Sequence, residues 1–105
     1  MENRMGLNKK PVYELPDDVL VGDYRKGIKT PDFEPDLCIN TWGSGTGKIY
    51  NKYETTRQIW VKTNNEELKE CIKNIDFKKH MMSTNGLYTL SLWKFKKIVL
   101  EEFFR

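Results

Sequence analysis

The sequence predicts an α+β fold: a small antiparallel sheet of three to five strands, with two helices on one face and an extended Pro-rich N-terminal arm. Three observations carry this expectation. Three short central segments, Leu37–Trp42, Lys48–Glu54 and Arg57–Lys62, read as strands whose side chains period 2 sorts into two faces. Two later segments place apolar residues at helical spacing. All four prolines, Pro11, Pro16, Pro31 and Pro35, fall within residues 1–35.

Proline fixes φ, removes a backbone donor and biases its predecessor toward extended conformations. Residues 1–35 therefore read as an arm, with extended pieces around Val12–Leu15 and Val19–Val21. Tyr13, Leu15, Val19, Leu20, Val21, Tyr24 and Phe33 supply anchors for lying across a sheet or a partner. The compact part is expected over residues 36–105, within one domain in total.

Side chains alternate sides along a strand, so the three central segments sort into two faces. Leu37, Ile39, Ile49, Tyr53, Ile59 and Val61 form the expected core face. Trp42, Lys48, Tyr50, Lys52, Gln58, Trp60 and Lys62 form the other, a mixture of flat rings and ammonium groups. That second face is either a binding surface or the floor beneath the Pro-rich segment.

Gly43-Ser-Gly-Thr-Gly-Lys48 joins the first two strands and has the chemistry of a hairpin loop. A phosphate loop, GxxxxGK[ST], would need Gly at position 42 and Ser or Thr at 49, where the chain has Trp42 and Ile49. Thr63-Asn-Asn-Glu66 reads as a capping box opening a first helix, with Leu68, Cys71, Ile72 and Ile75 on one stripe. Ser83-Thr-Asn-Gly86 breaks the chain. A second helix is expected over Leu87 to Arg105, with Tyr88, Leu92, Phe95, Val99 and Phe103 aligned and Trp93, Leu100 and Phe104 beside them. Tyr88, Leu90 and Leu92 also alternate, so a strand over Leu87–Trp93 stays open.

Composition narrows the functional classes. Apolar residues make up 38% and charged residues 31%, with five Phe, five Tyr and three Trp, which is too aromatic for an intrinsically disordered chain. Net charge is +3, split as −2 over residues 1–47 (six basic, eight acidic) and +5 over 48–105 (twelve basic, seven acidic). That bias permits an anionic partner without demanding one. Cys38 and Cys71 are far apart and lack metal-ligand spacing, and His80 is the single histidine, so neither a metal nor a cofactor is expected. Met1 to Lys10 lacks the apolar run of a secretory signal, and no membrane span is expected. The expected location is the cytoplasm, with both thiols reduced. Lysine- and asparagine-rich usage suits an AT-rich genome, such as that of a virus or mobile element.

Two surfaces are candidates for function. Trp42, Tyr50 and Trp60 offer rings for stacking bases, and Lys48, Lys52 and Lys62 offer charge for phosphates, which is how single-stranded DNA or RNA is held. The C-terminal Trp93, Leu100, Phe103 and Phe104 offer a second apolar surface, wider than one docked helix needs. Within it, Lys97-Ile-Val-Leu100-Glu-Glu-Phe103-Phe104 resembles the clamp-binding peptide of replication and repair proteins, Q-x-x-[LIM]-x-x-[FY]-[FY]. Leu100, Phe103 and Phe104 match, while Lys97 stands where Gln is usual. The resemblance implies insertion of both rings into a sliding clamp from a 3₁₀ turn, a role that competes with Phe103 closing its own core. The lone histidine and the scattered carboxylates form no catalytic constellation. The expected function is therefore non-enzymatic protein binding, as a small inhibitor, adaptor or subunit of a larger complex. Single-stranded nucleic-acid binding is the alternative.

Overall fold

Both faces of Arg57–Lys62 find apolar cover, so it becomes the strand around which the sheet is built. In the computed structural model, which describes residues 13–104, four strands occur: β1 (Leu20–Arg25), β2 (Leu37–Asn40), β3 (Ile49–Tyr50) and β4 (Arg57–Lys62). They form one antiparallel sheet in the order β1-β4-β2-β3. The fold is α+β, as expected.

The first face packs against both helices, α1 (Glu66–Asn74) and α2 (Leu92–Val99). Leu37, Ile39, Ile59 and Val61 from the sheet meet Leu68 and Ile72 of α1, and Phe95, Ile98 and Val99 of α2, in a single buried cluster. Phe77, on a 3₁₀ turn spanning Phe77–His80, stacks on Phe95 with ring centroids 5.5 Å apart. Phe77, Leu90 and Ile98 belong to this core without having been expected there.

Several elements depart from expectation. Residues 1–12 of the expected arm lie outside the described residues. Leu20–Arg25, inside that arm, is an edge strand pairing with β4 along its full length, so position 36 separates no arm from a domain. The physical reason is that β4 exposes a full ladder edge, which these residues satisfy. The strand expected over Lys48–Glu54 shrinks to Ile49–Tyr50. Ile49 is 39% exposed on that short edge strand instead of in the core. Tyr53 takes φ +69°, which breaks the alternation and turns its ring onto the second face.

Helix α1 is capped two residues later than the expected capping box places it. Asn65 is the cap, its Oδ1 accepting from the Leu68 amide at 3.0 Å, while Thr63 Oγ1 accepts from the Asn65 amide at 3.1 Å. The second helix begins at Leu92, not Leu87. Before it, Asn85 and Gly86 both take positive φ, the geometry of a tight hairpin turn, and Thr84 bridges Leu87 across it. Trp42 then bridges Thr89, and the Leu90 amide donates to the Thr41 carbonyl, so Tyr88 leaves the expected helical stripe. After Val99 the helix widens into a π-helical turn, Leu100–Phe104.

Candidate functional site

On the second face of the sheet, Trp60 is 1% exposed and packs with Tyr24 and Cys38. Tyr24 stacks on it at 5.1 Å and Tyr53 tilts against it at 5.6 Å. Its Nε1–H donates to Gln58 Oε1 at 2.7 Å, which satisfies both buried groups. The crossover from β1 to β2 closes this face: Pro31 sits over Gly22, and Phe33 packs against the ring cluster. Glu34 takes the Lys52 ammonium at 2.7 Å, which raises the Lys52 pKa above its ordinary value, chiefly through that hydrogen bond.

The expected nucleic-acid face is therefore not one accessible surface. Trp60 is enclosed, Lys52 is ion-paired and Tyr50 is half-buried. Lys48 and Lys62 are exposed, on the glycine loop and at the end of β4. Trp42 is 49% exposed, with the Arg57 guanidinium 5.9 Å from its ring, and among the described residues it stacks on no other ring. The physical reason is the crossover loop, which supplies the aromatic cover that nucleic-acid bases would otherwise provide.

The C-terminal surface is different. Trp93, Leu100, Phe103 and Phe104 are all partly exposed. Trp93 stacks on Tyr13 at 6.1 Å and forms one wall of a groove of about 290 Å³, with His80, Met81, Met82 and Lys94 around it. Met82 is 93% exposed there. Phe103 and Phe104 meet edge to face at 4.9 Å and pack against the main core. Their turn is π-helical, and both rings have partners within the chain, unlike the free 3₁₀ plug that the clamp-peptide resemblance implies. His80 Nε2 lies 3.3 Å from Glu102 Oε2, off the line of a hydrogen bond, where the 3₁₀ turn meets the π turn.

Four amides of the glycine loop are already used within the chain. The amides of Gly43, Thr46, Gly47 and Lys48 donate to the carbonyls of Tyr88, Gly43, Asn40 and Gly45. A nest for phosphate needs such amides free.

Neither thiol is set up as a nucleophile. Burial pushes Cys38 up to about 11, against the opposing pull of Lys52. Burial, and secondarily the Glu102 charge, also raise Cys71. No group of three or more metal-ligating side chains is gathered among the described residues. No described helix is long and apolar enough to cross a membrane. Comparison with protein families, curated proteins and solved structures finds no match to this chain.

Sequence reasoning selected Trp93 but missed Met81, Met82 and His80 beside it. Their signal was weak, because the hairpin that brings residues 80–82 next to Trp93 turns on Asn85 and Gly86, which looked only like a chain break.

Proposed function

We propose that this chain is a non-enzymatic protein-binding module, an inhibitor, adaptor or subunit of a larger complex, whose partner seats on the groove beside Trp93. The observation that carries this reading is Met82, held 93% exposed next to an indole wall. Methionine is flexible and polarisable, so it adapts its shape to a partner surface. Tryptophan in a pocket is a frequent energetic anchor of interfaces. Lys94 flanks the groove and no carboxylate lines it, which favours a partner presenting an apolar anchor edged by acidic residues.

The test is capture from native extract, followed by reconstitution of any captured protein with the purified chain. A direct one-to-one affinity is expected, weakened about tenfold or more by Met82→Asp and by Trp93→Ala. Trp42→Ala, outside the groove, is expected to leave it unchanged. A partner bound equally by all these variants would remove the groove from the interface, and no direct binding at all would remove the function.

A further inference from the structure

A separate cleft of about 350 Å³ lies between the glycine loop and the end of α1. Lys48 comes from the loop, Lys73 from the last turn of α1 and Lys78 from the 3₁₀ turn, with Asp76 the carboxylate on its wall. None of these lysines is ion-paired with a described carboxylate, whereas Lys52, Lys69 and Lys97 each are. Like charges gathered on a concave, low-dielectric wall focus a positive potential into the space between them.

The wall is held firmly. Gly47 takes φ +94°, and a Cβ there would lie 3.1 Å from Phe77 Cβ, so the loop rests directly on the 3₁₀ turn. Behind it, Thr46 Oγ1 donates to the carbonyl of Gly43 at 2.8 Å, with the Tyr88 carbonyl also in reach at 3.2 Å. Lys78 Nζ sits 5.4 Å from the centroid of the Tyr88 ring, placing a flat apolar group beside the cations.

We propose that this cleft binds a phosphate-bearing ligand of two or more negative charges, held by Lys48, Lys73 and Lys78. The chemistry favours phosphate over a lone carboxylate. Ammonium groups are compact point charges that meet a tetrahedral oxyanion from several directions, whereas planar carboxylates are matched best by the guanidinium fork. No arginine lines the cleft, and one acidic group against three basic ones leaves room for a doubly charged ligand. The amides of Thr46, Gly47 and Lys48, the loop residues on the cleft wall, are already committed, so the side-chain ammonium groups supply the recognition. This site is distinct from the Trp93 groove and stands whether or not a protein partner exists.

The test uses the full chain at low salt, titrated calorimetrically with inorganic pyrophosphate and, separately, by anisotropy with a labelled oligothymidylate. Saturable binding is expected, weakened about tenfold or more by Lys73→Glu and by Lys78→Glu. Lys62→Glu changes net charge equally from β4 and is expected to shift affinity by less than about twofold. Pyrophosphate binding alone assigns the site to small phosphorylated molecules. Oligothymidylate binding with the same lysine dependence and a steep salt slope assigns it to a nucleic-acid backbone. Met82→Asp is expected to leave either result unchanged. Absence of saturable binding to both probes, or equal losses in Lys62→Glu and Lys73→Glu, would overturn the proposal.

Discussion

The two faces of the sheet are closed by different means. On one side, Leu37, Ile39, Ile59 and Val61 lie under two helices, and the contact is largely aliphatic and continuous with Phe77 and Phe95. On the other, Tyr24, Cys38, Trp60 and Phe33 form a small aromatic layer, closed by the β1–β2 crossover and by Tyr53. The helical face is redundant, since many side chains share the burial. The aromatic face depends on one large residue, one buried hydrogen bond and one loop. A binding role for the second face was attractive because rings and lysines alternate there, yet the same rings are what a loop without helices needs to cover a sheet. Aromatic and basic alternation therefore does not distinguish a binding platform from a loop-covered floor.

The sharpest way to break this comparison is Trp60→Ala. Trp60 is 1% exposed and stacks on Tyr24, so its removal opens a large cavity under a loop and leaves Gln58 Oε1 with only the 3.4 Å bond from the Tyr53 amide. A loss of about 4 kcal/mol is expected, as for large aromatic truncations in cores. Urea unfolding measures it, with Ile59→Val as the helical-face comparison, expected near 1 kcal/mol, roughly the loss of one buried methyl group. A Trp60→Ala loss below about 1 kcal/mol would mean that the second face is not a core at all.

These contrasts explain how much was legible in the chain. Arg57–Lys62 was readable because Ile59-Trp60-Val61 is a short β-prone apolar run, the pattern of a strand buried on both sides. The stripe Leu68–Ile72 and the pair Phe95–Val99 were readable from apolar residues recurring at helical period. β1 was hidden because Val21-Gly22-Asp23 alternates weakly and prolines lie on either side, which made an edge strand look like an arm. Tyr53 was misassigned because a positive φ in a non-glycine residue has no signature in the sequence. The start of α2 was ambiguous because Tyr88 and Leu92 fit both periods, and hydrogen bonding to residues 41–43 decided between them. At the level of sites, Trp93 was visible, but the neighbours that make it a groove arrive through tertiary contacts. The lysine cleft was invisible for the same reason, since Lys48 and Lys78 are thirty residues apart and meet only after folding.

A finer test acts on the loop alone. Gly22 has no side chain, and a Cβ there would come within 2.8 Å of Pro31 Cγ and 3.4 Å of Phe33. Gly22→Ala must therefore lift the crossover from the aromatic layer. The strand gains a little from losing glycine's backbone freedom, roughly 0.5–1 kcal/mol. Overpacking costs about 1–3 kcal/mol, so a net loss near 1 kcal/mol is expected. The diagnostic readout is tryptophan fluorescence of the folded variant, which should shift red as Trp60 gains access to water. If fluorescence is unmoved while stability falls, the loop is not what shields Trp60.

The gentlest probe is pH, because Cys38 lies in the aromatic layer and is buried more deeply than Cys71, the other thiol, on α1. Burial raises its thiol to about 11, above the ordinary 9.0 of an exposed thiol. A group whose pKa is higher folded than unfolded stabilises fully below its unfolded value and loses that contribution as pH rises through the folded one. The native state keeps the proton that the unfolded chain gives up, so stability is expected to fall between pH 9.0 and about 11. Lys52, whose pKa is raised by Glu34, loses its contribution in the same direction but from above 10.5. Melting temperature across this range should therefore fall more steeply in the wild type than in Cys38→Ala, with the curves diverging first near pH 9.0, before Lys52 titrates. Parallel curves for the two proteins would place Cys38 outside the enclosed layer. A fall shared by both proteins above 10.5 belongs to the Lys52–Glu34 pair, which both keep.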